Sequence, residues 1–252
     1  MSFEPTDHPT FKRPTIAEVV CEVHFTVAPD AGWSPTYPGN FWKEVASDYP
    51  DIEPIVETGI GFRLNRNSGI EQVLTEKRRY RFTNASKSSM LHVAENLFTV
   101  NMLPPYPGFP ALRQELANRW EIARDLFKAQ QVTRIGLRYI NKIARRSADE
   151  TASYWIKETD FIAKAALNSP PPFLSRVETR FNETDRAVVN IGHLKNDAPD
   201  GYLIFDIDCI RQSSISIESN VVAQCARELN EIAWRIFRDA HNDTLTAYLE
   251  GR

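Results

Sequence analysis

Between Pro14 and Pro29 apolar side chains fall on every second residue. Ala17, Val19, Cys21, Val23, Phe25 and Val27 take one side, and Glu18, Val20, Glu22, His24 and Thr26 take the other. A period of two predicts a half-buried strand. Gly32, Pro35, Pro38 and Gly39 then mark a loop, and Asn40 opens a short helix ending near Asp48. Segments near 60–66, 71–83 and 89–103 read as strands of an antiparallel meander, with turn residues at Asn67-Ser68-Gly69 and Ser86-Lys87-Ser88. After the connector PPYPGFP (104–110) the period changes. Leu112, Leu116, Trp120, Ala123 and Phe127 lie three or four residues apart, which predicts a helix to about Lys128.

The second half follows the same plan. VTRIGLRYINKI (132–143) alternates as a strand, a helix is expected around 153–167, and strands near 173–182, 186–194 and 202–212. A last long helix runs from about Ser219 to Ala240, its stripe formed by Val222, Cys225, Leu229, Ile232, Ile236 and Ala240. Strand, helix, three strands, helix thus occurs twice, offset by roughly 110 residues, a repeat of pattern and not of residues. The expected fold is α+β, with two pseudo-repeated halves, 1–130 and 131–252, packed as one compact unit. Each half would be an antiparallel sheet covered by a long helix.

Five strings carry a resemblance over nearly the whole chain: RPTIAEVVCEVHF (13–25), MLHVAENLFTVNM (90–102), YPGFPALRQEL (106–116), RIGLRYINKI (134–143) and LNEIAWRIFRDAHNDTLTAYL (229–249). In this order they resemble a sporadically distributed prokaryotic family of uncharacterised proteins. Its members open with a Pro-x-x-Glu-Val-Val strand and carry an Arg-Tyr-Ile-Asn strand at mid-chain. One departure is Met102 after Asn101, where the family pattern has tryptophan. The resemblance implies a small cytoplasmic protein, patchily inherited, of the kind found in mobile or defence-type gene neighbourhoods. It brings no activity, cofactor or catalytic residue with it.

Composition narrows the function classes. A formal charge of −3 over 252 residues provides no overall basic field for a polyanion. No stretch approaches the length of a membrane span, and the first residues carry no apolar leader core, so a cytoplasmic location is expected. Cys21, Cys209 and Cys225 form no CxxC pair and fall on apolar sides, which predicts buried, inert thiols. The five histidines show no ligand spacing, and no phosphate loop or G-x-S-x-G elbow occurs, so no metal and no cofactor are expected.

Charge on strand faces is the remaining signal. Arg134, Arg138 and Lys142 share one face of 132–143, Asp206 and Asp208 one face of 202–212, and Glu18, Glu22 and His24 one face of 16–27. If these strands are neighbours, the charges meet as cross-strand ladders in one polar binding site. The alternatives are a solvated outer face whose ion pairs contribute little, and a partly buried structural network. A second reading takes Asp206 and Asp208, with Glu22, as carboxylate ligands of a metal-dependent hydrolase acting on nucleic acid or nucleotides. The basic run EKRRYRF (76–82), with Lys77, Arg79 and Arg81 on one face and Arg78, Tyr80 and Phe82 on the other, admits single-stranded nucleic acid. Trp234, off the centre of its helix stripe, admits a partner or a second copy of the chain. The expected function is a non-enzymatic binding or regulatory protein that recognises a macromolecular partner, foremost another protein.

Overall fold

The computed structural model describes residues 8, 10–28, 32–65, 69–194 and 200–252, and side chains among these except within 57–77 and at 194. Nine strands form one antiparallel sheet: β1 (Ile16–Val27), β2 (Asp51–Asn65), β3 (Gly69–Thr83), β4 (Ser89–Ala94), β5 (Leu97–Met102), β6 (Ala129–Ala144), β7 (Leu174–Arg180), β8 (Asp185–Leu194) and β9 (Tyr202–Ile215). Their spatial order is β2-β3-β4-β5-β1-β6-β9-β8-β7. The helices are α1 (Tyr37–Val45), α2 (Phe109–Leu126), α3 (Lys164–Leu167), α4 (Ser219–Ala240) and α5 (Asp243–Leu249).

This corrects the expectation of two sheets, each under its own helix. The first strands of the two halves, β1 and β6, pair with each other from Ile16↔Asn141 to Val27↔Ala129. Their apolar sides coincide, since Cys21 faces Leu137 and Val23 faces Ile135. Separate sheets would leave both strands as edges with unpaired backbone groups, a cost that pairing removes. The order is mirrored about this central pair: β5 and β4 flank β1 as β9 and β8 flank β6.

All the long helices lie on one side of the sheet. Val19, Cys21, Val23, Ile135, Leu137, Phe205 and Ile207 reach zero exposure or within 1% of it, under Leu112, Leu116 and Trp120 of α2 and Val222, Ala226 and Leu229 of α4. Rings finish the layer at one end, where Phe41 of α1 meets Phe82 and Phe98 at centroid distances of 5.2 and 6.1 Å. Trp120 is buried completely because its indole Nε1 donates to the Ile217 carbonyl at 2.8 Å, joining α2 to the entry of α4.

Several local expectations change. Residues 89–103 form a hairpin and not a single strand, because Asn96 adopts φ 61°, a left-handed turn conformation that asparagine tolerates. β2 begins at Asp51 and passes through Pro54, admissible because β2 lies at the sheet edge. Residues 153–167 do not form one helix. A 3₁₀ turn at Ala152–Tyr154 and the four-residue α3 are separated by chain that pairs elsewhere, with Ile156 bridged to His241 and Lys157 N–H bonded to the Ala240 carbonyl at 3.0 Å. The turn residues Asn67 and Ser68 and the side chain of Lys77 lie outside the described residues.

Candidate functional site: the helix-free face of the sheet

The side chains that alternate with the core point to the face on which no helix packs among the described residues. Cross-strand register places Glu18, Val20, Glu22 and His24 of β1 beside Ile140, Arg138, Gly136 and Arg134 of β6. On β9, Gln212, Ile210, Asp208 and Asp206 continue the rows beyond Arg134, Gly136, Arg138 and Ile140. On the other flank Asn101 and Thr99 of β5 face Val20 and Glu22, with His92 of β4 and Arg81 of β3 beyond Thr99. Glu18, Glu22, Arg134, Arg138, Asp206 and Asp208 therefore share one contiguous surface. Lys142 lies further along the same face, its Nζ 3.8 Å from the centroid of the Tyr202 ring.

Two ion-pair hubs organise this surface. In the first, Arg134 Nη1 donates to Glu22 Oε2 at 2.9 Å, and His24 Nε2 lies 3.3 Å from that oxygen and 2.7 Å from the guanidinium. One ring nitrogen serves one partner at a time: it donates to Glu22 when it carries a proton and accepts from Arg134 when it does not. His24, opposed by burial and assisted by Arg134, holds the Glu22 carboxyl down at about 2. Gly136 makes room for this arrangement, because a Cβ there would stand 3.2 Å from Arg134 Nη2. In the second hub Arg138 grips Asp206 with both arms, Nε to Oδ1 at 2.7 Å and Nη2 to Oδ2 at 2.9 Å. Asn190 Nδ2 adds a third bond at 2.8 Å, so both oxygens of Asp206 are hydrogen-bonded at only 4% exposure.

Between the hubs stands Asp208. It lies opposite Arg138 in register, yet its carboxylate makes no hydrogen bond or ion pair among the described residues. Burial raises its pKa to about 6, against the pull of Arg134 and Arg138. Nearby polar groups are also unsatisfied. Thr99 Oγ1, Asn101 Oδ1 and His92 Nε2 are buried without a hydrogen-bond partner, although Asn101 Nδ2 donates to Glu18 at 2.7 Å. Burial and then the charges of Arg79 and Arg81 push the His92 imidazole down to about 4.

The carboxylates named for the metal reading are each engaged otherwise or isolated, and no group of three or more His, Cys, Asp or Glu among the described residues could hold a metal ion. In the basic run, Phe82 is fully buried and Tyr80 packs against the core, on the opposite face from Arg79 and Arg81. Phe82 therefore offers no ring face to a base. All three cysteines are buried and free, with the Cys21 thiol pushed up to about 12 by burial. No helix among the described residues is long and apolar enough to cross a membrane. The residues that sequence reasoning missed are Thr99, Asn101, His92, Asn190 and Gly136. Thr99 and Asn101 leave a trace in the sequence, two polar positions, two apart, in the otherwise apolar run LFTVNM. No family model matches the chain, and no curated protein matches it.

Proposed function

We propose that the chain is a non-enzymatic binding protein that recognises a macromolecular partner, a protein, through the helix-free face of its sheet. The observation that carries this reading is the cluster Glu22, Arg134, Asp208, Arg138 and Asp206, in which a half-buried carboxylate is kept near two guanidinium groups without bonding to either. Such a group costs stability, and perturbed carboxylates held at a cost mark functional surfaces. The mixture of signs favours a protein over nucleic acid, since a polyanion would be repelled by Glu22, Asp206 and Asp208. Ile140 and Ile204, half-buried between the charges, add the apolar component that a protein interface uses. An accessory role in a mobile or defence-type system rests on the sequence resemblance alone.

Tagged protein expressed in its native host tests the proposal. One partner recovered in stoichiometric amount is expected. Arg138→Ala alone would confound the experiment, because it strands Asp206 and lowers stability by about 2–3 kcal/mol. The double variant R138A/D206A removes both charges together and is expected to keep most of the stability while losing the partner. A partner retained at full yield by the double variant would place recognition elsewhere on the molecule.

A further inference from the structure

On the opposite, helix-bearing side the structure contains a cavity of about 210 Å³ between α4, the 104–108 connector and residues His8, Thr10, Phe11 and Pro14. Its floor is the middle of the sheet, at Tyr139 and Asn141 of β6 and Ile207 of β9. Its walls are rings. Phe11 and Trp234 stand 6.1 Å apart between centroids, His8 packs on Trp234 at 4.8 Å, and Trp234 meets Phe237 at 6.2 Å. Among the described residues, no Lys, Arg, Asp or Glu lines it.

A hydrogen-bond relay crosses the floor and ends without a partner. Tyr106 Oη lies 3.4 Å from Tyr139 Oη, and Tyr139 Oη donates to Asn230 Oδ1 at 2.6 Å. The other end of that amide, Nδ2, is buried with nothing to bond, in a residue only 4% exposed. A buried polar atom left unpaired is destabilising unless a ligand or a water supplies the missing partner. The cavity is large enough for more than water, because an apolar cavity of about 150 Å³ already accepts benzene. Among the described lining residues His8 alone can be cationic, and its Nε2 already lies 3.2 Å from Glu231 Oε1, so an ionised ligand would be desolvated here without a free counter-charge. The aromatic walls favour a flat ring, which stacks with little loss of conformational freedom.

We propose that this cavity binds a neutral, planar aromatic or heteroaromatic molecule of one or two rings, whose carbonyl or carboxamide bonds the Asn230 amide while its ring packs against the Phe11–Trp234 pair. A carboxamide suits the site best, since it offers both an acceptor and donors to the end of the relay.

Benzamide is the probe, titrated into full-length ¹⁵N-labelled protein while the Trp234 indole N–H resonance is followed, with Trp234→Phe to assign it. A saturable shift of that resonance is expected, together with a rise in melting temperature. Toluene, which lacks the acceptor, and benzoate, which adds a charge, are each expected to bind about tenfold more weakly. Asn230→Ala should weaken benzamide by a similar factor. Because Asn230 also accepts from Tyr139, Phe11→Ala serves as the second variant: it removes one wall, leaves the relay intact and should weaken binding about fivefold. Absence of a saturable shift with benzamide overturns the proposal. Equal binding of toluene and benzamide also overturns it, since that describes an apolar void without recognition. Benzoate binding more tightly than benzamide overturns the neutral class.

Discussion

Asp208 and Glu22 lie on adjacent rows of one face and titrate in opposite directions. Asp208 has a folded pKa near 6 against an ordinary 3.8, so between those values the folded state binds more protons than the unfolded chain. Its contribution to stability therefore falls as pH rises through that window and stays low above it. Asp208→Asn removes this cost and should stabilise the protein by roughly 2 kcal/mol at pH 7.5, with the gain gone below pH 4. Urea unfolding at the two pH values measures it. If the partner uses the anion, the same substitution weakens capture, giving a more stable and less functional protein. Glu22 behaves oppositely. Its folded value of about 2 lies below the ordinary 4.5, so its contribution is complete above pH 4.5 and disappears as pH falls toward 2. Glu22→Gln should cost roughly 2 kcal/mol at pH 7 and little at pH 2.5, read by the same titration. Alternation on three strands was enough to group these residues in advance. What it lacked was the order of the strands, and with it the information that Arg138 turns to Asp206 and leaves Asp208 alone.

Between elements, the best-defined tie is Arg211 of β9. It donates from Nε and Nη2 to both oxygens of Asp185 on β8 at 2.7 Å each, and from Nη1 to Glu228 of α4 at 2.5 Å. Asp185 is 3% exposed, so its charge depends on that guanidinium, which lowers its pKa ahead of the opposing effect of burial. Arg211→Met strands the carboxylate and is expected to cost about 3–5 kcal/mol in chemical denaturation. Asp185→Asn in the same chain should recover part of the loss, and no recovery would assign the cost to lost packing under α4. This tie was not legible, because a register between β8 and β9 and the docking of α4 must both be known to bring 185, 211 and 228 together. The long elements were legible. Periods of two and of three to four located β1, β6, β9, α2 and α4 because each buries one continuous side. Periodicity failed where local chemistry decides: at Asn96, whose left-handed φ splits 89–103 into a hairpin, and at 153–167, where backbone bonds to 240 and 241 replace helical ones. It also missed α5, which starts because the Asn242 side chain accepts from Leu245 N–H at 3.0 Å.

At the scale of the whole molecule, the β1–β6 pair decides how the protein unfolds. Helix α2 packs on both β5 and β6, and α4 packs on both β6 and β9 as well as on α2, so the core passes across the middle of the sheet without interruption. Neither half can leave without exposing the apolar side of its neighbour and a full row of backbone donors and acceptors. A proline at Leu137, which lies between Cys21 of β1 and Cys209 of β9, would delete a ladder N–H in an interior strand of the central pair and fix a φ unsuited to it. If the halves were independent, such a lesion would melt one transition and spare the other. With one continuous core, calorimetry of the unaltered chain should show a single transition whose calorimetric and van't Hoff enthalpies agree. Leu137→Pro should then abolish that transition altogether or shift it as one. Two resolved transitions in the unaltered protein would mean that the central pair joins two separately stable bodies, and the helix-free face would then be a surface whose two hubs can move relative to one another.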